Sequence, residues 1–340
     1  MSEARLAVGG IWAAVITPVT PDLTPDAQRA IPYYRDLLAS GCDGINLLGT
    51  TGEAMSFSAT QRLQFMERIA ASGLPLERVM AGTGAASLDD AARLTRFALE
   101  RGFAAALIMP PFFFREASDD GIAAFYEALL ERVNAPARSL LLYNFPRMAG
   151  VTLHASLVER IARSSKGGVF GMKDSSNDAA LQSDALARLP EFVVLPGSES
   201  DLVEAKRRGC AGCVSGSVAL WAPLAKRVFE REDEGEAAEL RQLRASLEGL
   251  SLVPVMRRRI AELRNDPEWE RAVPPLQPAS SDAFRLAGVY TLAERVLEDP
   301  ARARAWFKER NRALDGERPL DLLDTEAGVQ RVVEVLNRIE

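Results

Sequence analysis

Five lysines occur among the 41 basic residues of this 340-residue chain, and one of them stands apart. Lys166 lies in a Ser/Gly turn, and Lys206, Lys226 and Lys308 lie in helix-like segments. Lys173 alone follows directly on a short apolar run, Gly167-Gly168-Val169-Phe170-Gly171-Met172, and it leads into Asp174-Ser175-Ser176. That order reads as a buried strand delivering an amine to its own C-terminal end. Burial disfavours the charged ammonium, so such an amine loses its proton more easily and can attack a carbonyl to form a Schiff base. For a lone lysine the competing reading is a stem laid along apolar surface with its head in water. What favours chemistry is the company. Thr17 ends one apolar run, Thr50 and Thr51 follow a second, Tyr143 ends a third, and Gly197-Ser198 follow a fourth.

Those runs belong to a repeating pattern. Strands are expected at Ile11 to Ile16, Gly44 to Leu48, Arg78 to Ala81, Phe103 to Met109, Ser139 to Tyr143, up to Lys173, Phe192 to Leu195 and Gly212 to Ser215. Helices are expected between them. Thr24-Pro25-Asp26 supplies a polar cap and a proline at the first helical position, and Ser58-Ala59-Thr60-Gln61 is a capping box. Others open at Ser87, near Asp119, near Leu153 and near Leu220. Short, continuously apolar strands alternating with helices imply a parallel sheet covered on its faces. Eight such units suit a closed (β/α)8 TIM barrel better than an open doubly wound sheet. Gly82-Thr83-Gly84 lacks the third glycine of a dinucleotide fingerprint and falls two units late. In a barrel the strand C-termini share one mouth, so Thr17, Thr50, Thr51, Tyr143, Lys173 and Gly197-Ser198 are expected to meet there.

Composition removes several classes. The net charge of −6 offers no basic excess for a phosphate backbone, so no nucleic-acid partner is expected. No apolar run approaches the ~20 residues of a membrane span. Met1-Ser2-Glu3-Ala4-Arg5 lacks the charged-then-apolar order of a signal peptide, and three cysteines make no disulfide framework, so a cytoplasmic location is expected. The single histidine, His154, leaves no His-rich metal site. Cys210-x-x-Cys213 has metal or redox spacing, but without a second pair it reads as small buried residues beside a strand. No metal, nicotinamide or nucleotide cofactor is expected.

Gly49-Thr50-Thr51-Gly52-Glu53, Tyr143-Asn144-Phe145-Pro146 and Gly171-Met172-Lys173-Asp174-Ser175-Ser176, in that order and spacing, resemble the dihydrodipicolinate synthase / N-acetylneuraminate lyase family of pyruvate-dependent class I aldolases. The resemblance runs from about Gly9 to Ser280. It implies a (β/α)8 barrel with additional C-terminal helices, over residues 1–280, assembled as a tetramer of two dimers. It implies a Schiff base between Lys173 and pyruvate or another 2-oxo acid, a proton shuttle at Tyr143, and a carboxylate held by Thr50 and Thr51, with Gly197 and Val214 completing the substrate contacts. The departures point within the family. Where the synthases carry a tyrosine after strand four, this chain has Phe113, and where they carry an arginine five residues after the strand-five tyrosine, it has Met148. That implies the aldolase branch, acting on 2-keto-3-deoxy sugar acids or related 2-oxo acids. Dihydrodipicolinate synthesis and sialic acid cleavage are the alternatives.

Residues 281–340 form a small all-helical C-terminal module in this reading, with stretches at 284–297, 302–311 and 328–339. Trp306, Leu320, Leu322, Leu323, Val329, Val332, Val333 and Leu336 are its candidate core. Ala303-Arg304-Ala305-Trp306-Phe307 and Pro319-Leu320-Asp321-Leu322-Leu323 are similar to the toxin-binding domain at the C-terminus of Xre/MbcA/ParS-type antitoxins. The resemblance implies a protein partner or self-association; a helical cap on the barrel is the other reading. A non-catalytic scaffold working through this tail is the remaining alternative to an enzyme.

Overall fold

A computed structural model describes residues 8–247, 251–274, 289, 292–293, 296–297, 300–323 and 326–339. The chain divides into two compact units, Met1–Arg241 and Gln242–Glu340.

The first unit is built on eight strands: β1 (Gly10–Ala14), β2 (Gly44–Leu47), β3 (Val79–Gly82), β4 (Ala105–Ile108), β5 (Leu140–Asn144), β6 (Val169–Asp174), β7 (Val193–Pro196) and β8 (Gly212–Ser215). All pair in parallel, in the order β7-β6-β5-β4-β3-β2-β1-β8. At the seam, Ala211 N–H donates to the Val194 carbonyl at 3.0 Å, which brings the sheet nearly to closure. The strands are buried on both faces because each face has its own apolar layer. Trp12, Ala14, Met80, Leu107, Leu141, Tyr143, Leu195 and Val214 form an inner cluster. Ala106, Ile108, Leu140, Leu142, Met172 and Val194 face outward into a second cluster with the helices. The barrel interior is thus a packed core, with apolar side chains on both faces of the sheet.

The surrounding helices include α1 (Ala27–Ala39), α2 (Ala59–Ala70), α3 (Leu88–Glu100), α4 (Asp119–Val133), α5 (Pro146–Ala149), α6 (Ala155–Ser164), α7 (Ala179–Arg188), α8 (Leu202–Arg207) and α9 (Ala222–Arg231). Their starts follow from local chemistry. Ser58 and Gln61 make the full capping box, and Ser87 and Ser118 cap α3 and α4. The expected cap of α1 is corrected: Asp26 receives Arg29 N–H, while Val19 and Pro25 form an isolated bridge ahead of the helix. The short helix α5 was not expected; at four residues it leaves no apolar periodicity to read. Tyr34 of α1 and Tyr126 of α4 reach inward to the carbonyls of Ile16 and Ile108 at 2.8 and 3.0 Å. Each thereby satisfies a buried acceptor at a strand end, and burial pushes the Tyr126 phenol well up.

In the second unit, the helix Leu252–Arg264 precedes a tight turn whose Trp269 is buried and accepts from Arg257 at its carbonyl. Further on come the helices Pro300–Lys308, Pro319–Leu322 and Glu326–Asn337. They share one apolar cluster that includes Ala303, Phe307, Leu314, Leu323, Val329, Val332, Val335 and Leu336. Four of the expected core residues sit there, and Trp306, Leu322 and Val333 flank it. Leu320 is exposed instead, and Phe307, which was not among the expected core residues, is fully buried in the cluster. Most of the expected stretch 284–297 lies outside the described residues.

Candidate active site

The register of β5 and β6 sets Tyr143 directly beside Lys173. Both side chains are 4% exposed. Lys173 Nζ donates to the Tyr143 hydroxyl at 3.2 Å and lies 4.4 Å from the centre of its ring. The same hydroxyl is 3.0 Å from Thr50 Oγ1, although 93 residues separate the two in sequence. With the lysine donating, the phenolic proton is free to pass to Thr50. Amine, phenol and alcohol therefore form one hydrogen-bonded chain from the barrel core to the β2 turn.

Each link has its own support. Thr50 stands in a turn bounded by Leu48 and Glu53, both at positive φ, and Thr51 beside it is buried. Asp174, next to Lys173, points outward and is fully buried. Its carboxylate accepts from Asn144 Nδ2 at 2.8 Å, Gln182 Nε2 at 2.8 Å, Ser176 Oγ at 2.7 Å and Ser176 N–H at 3.1 Å. Asn144 in turn accepts from Leu153 N–H at 3.0 Å. Satisfied networks of this kind hold a backbone to a single arrangement, and this one clamps the ends of β5 and β6 immediately beside Tyr143 and Lys173. Sequence reading named neither Asn144 nor Gln182 as support; the Tyr-Asn and Lys-Asp dipeptides were the only local trace.

Gly197 follows β7. Its N–H donates to the Asp174 carbonyl at 2.6 Å and so is not free for a ligand. What the residue supplies is closeness: a Cβ there would fall 2.1 Å from Ser175 Oγ. Two residues on, Glu199 is wholly buried. One oxygen accepts from Ser217 Oγ at 2.6 Å and Trp221 Nε1 at 2.8 Å; the other has no partner among the described residues. No sequence motif singled out Glu199. Val214 lies in the inner cluster with Tyr143. Thr17 is fully buried. Phe113 and Met148 are 75% and 49% exposed.

The remaining candidates have structural roles. His154 caps α6 and pairs with Asp119 at 2.7 Å. Burial pushes the Cys210 thiol up to about 11 and raises that of Cys213. Among the described residues no group of three or more His, Cys, Asp or Glu is placed to hold a metal ion. No described helix is long and apolar enough to cross a membrane.

Residues 7–264 match the dihydrodipicolinate synthetase family, and residues 292–340 match the antitoxin Xre/MbcA/ParS C-terminal toxin-binding domain. An uncharacterized DapA-like lyase of Chloroflexus aurantiacus is 30% identical over 303 residues, covering 87% of this chain and 98% of that protein. Dihydrodipicolinate synthase of Agrobacterium tumefaciens superposes with a TM-score of 0.76 at 30% identity, over 82% of this chain and 96% of the other. A 2-keto 3-deoxygluconate aldolase of Picrophilus torridus shares the fold, with a TM-score of 0.69 at 21% identity over 76% and 94% of the two chains.

Proposed function

The chain belongs to the dihydrodipicolinate synthetase family, and from that premise we propose that it is a pyruvate-releasing class I aldolase acting on a 2-keto-3-deoxy sugar acid. The observation that carries the reading is the Lys173–Tyr143–Thr50 chain at 3.2 and 3.0 Å. Neutral Lys173 attacks C2 of the 2-oxo acid. Loss of water from the carbinolamine, with Tyr143 handing on the proton, leaves a protonated imine. The C4 hydroxyl then gives its proton to the Tyr143 oxygen, left without one by the loss of water, as the C3–C4 bond breaks. The aldehyde departs, and the bonding electron pair moves into the imine to make an enamine. Protonation at C3 and attack by water on the imine release pyruvate and restore the amine. Thr50 and Thr51 hold the carboxylate, which fixes the orientation of the imine throughout.

The choice of branch is supported by three side chains. Phe113 brings no hydroxyl to a proton relay, and Met148 brings no charge for a second carboxylate. The unpartnered oxygen of Glu199 suits a hydroxyl-rich chain, since a buried carboxylate gains from each O–H donor it receives. The synthase reading rests on relatives and solved structures that carry that name, the Agrobacterium structure among them. The exposed Phe113 and Phe114 suit burial in a homo-oligomer, in keeping with a tetramer in the cytoplasm. The C-terminal module is read as a binding surface for a protein partner; a chain truncated after Ser280 that kept its oligomeric state and pull-down partners would remove that role.

The enzyme is tested by borohydride reduction in the presence of pyruvate, read by intact and peptide mass. An adduct on the Lys173 peptide, absent in Lys173→Ala, is the expected result. Pyruvate release from keto-deoxy acids then separates the branches. Condensation of pyruvate with aspartate semialdehyde, without cleavage of any keto-deoxy acid, would overturn the aldolase assignment. No adduct with any 2-oxo acid would leave a scaffold.

A further inference from the structure

Asn46 is destabilising where it stands. It lies in β2, 0% exposed, and among the described residues neither Nδ2 nor Oδ1 has a hydrogen-bond partner. A carboxamide buried in that state loses its hydration and gains nothing in return, whereas a leucine of similar shape would pack without cost. Residues that break a local rule in this way concentrate where a ligand uses them.

Its position indicates which ligand. Asn46 pairs in register with Ala14 and Met80, both members of the inner cluster that contains Tyr143 and Val214, so its side chain lies inside the barrel. The registered pairs lead from Asn46 through Met80 to Ala105 and, extended across β5, to about Gly168 just ahead of β6. A climb of roughly one residue per strand from that line, as the shear of an eight-stranded barrel requires, arrives near the level of Lys173. The carboxamide also reaches upward. A Cβ on Gly49 would lie 2.7 Å from Asn46 Nδ2, so glycine at this position lets the amide stand directly against the turn that carries Thr50 and Thr51.

We propose that Asn46 is a binding and specificity residue of the 2-oxo-acid subsite: from the barrel floor, its Nδ2–H donates to the carboxylate of the acid held on Lys173. This rests on the Schiff-base reading. The amide supplies a donor without a charge. A cation there would sit beside the Lys173 amine and compete with it for the carboxylate, and an apolar residue would leave the ligand's lower oxygen unpaired. The subsite thereby favours a 2-oxo acid over a simple ketone of equal size.

The test is borohydride trapping on the full chain across a range of pyruvate concentrations, for wild type, Asn46→Leu and Asn46→Asp, with melting temperatures measured in parallel. Half-saturating pyruvate is expected to rise about 10-fold or more in Asn46→Leu. Its melting temperature should stay level or rise, because an unpaired buried amide has been removed. Asn46→Asp should trap worse still, since a carboxylate would face a carboxylate. Equal half-saturation in wild type and Asn46→Leu overturns the proposal. So does a loss of trapping in both variants that tracks a fall in melting temperature, which is what a structural role would give. No adduct on Lys173 in the wild type would sink the Schiff-base reading and this proposal with it, an outcome distinct from the other two.

Discussion

The two ends of the barrel each hold a lysine, and they treat it differently. At the N-terminal end, Lys226 of α9 pairs with Asp43 at 2.8 Å. Asp43 also receives Ile11 N–H at 2.8 Å, and Arg78 donates to the carbonyls of Asp43, Leu38 and Cys42. Every group in that cluster is spent on holding strand starts together. At the C-terminal end, Lys173 has no carboxylate partner among the described residues and contacts only a phenol. Nearby, Asn46 and Glu199 keep buried polar atoms unpaired. One end is satisfied and stabilises; the other is left unsatisfied, which is the condition for binding something.

Mutations that exchange the character of the two ends test this contrast. Tyr143→Phe removes the middle of the proton chain and should lower kcat for pyruvate release by ~10²–10⁴-fold; a loss of less than tenfold would mean the proton travels another way. Asp174→Ala acts on the support beneath the same end. It orphans Asn144, Gln182 and Ser176 together, so a loss of ~3 kcal/mol in urea unfolding is expected, with activity falling in the folded fraction as well.

Lys226→Met should cost under ~1 kcal/mol and leave kcat unchanged, because both partners are about a third exposed and solvent screens the pair. Its pH dependence has a defined sign. The hydrogen bond to Asp43 raises the Lys226 pKa above its usual 10.5. The contribution is therefore complete below that value and fades as pH climbs through the raised folded value. A difference between wild type and Lys226→Met that grew above pH 10.5 would contradict the pairing. The smallest effect concerns the thiols. With Cys42 pushed up to about 12 and Cys210 to about 11, native protein at pH 8 should resist iodoacetamide, labelling by mass only after unfolding.

Legibility in the sequence followed the range of the interaction. The strand carrying Lys173 and the α2 capping box were visible because an apolar run and an S-x-x-Q pattern are local signals. The α1 cap was misread by two residues because Thr24, Pro25 and Asp26 each fit a helix start, and only the Val19–Pro25 bridge separates them. In the tail, Trp306 and Phe307 are adjacent and equally apolar, so nothing local decided which one faces the core. Glu199 gave no signal at all, since an acidic residue in a Ser-rich turn ordinarily faces water.

By itself the sequence determined the eight strand–helix units, the identity of the amine, the phenol and the alcohols, and their arrival at one rim. Those follow from periodicity and from the rule that parallel strands end together. Only the tertiary structure decided the 3.0 Å meeting of Thr50 with Tyr143, the clamp that Asp174 makes around the strand ends, and the burial of Asn46 without a partner. These depend on strand register and barrel shear, quantities fixed by the closure of the whole sheet and written in no single stretch of chain.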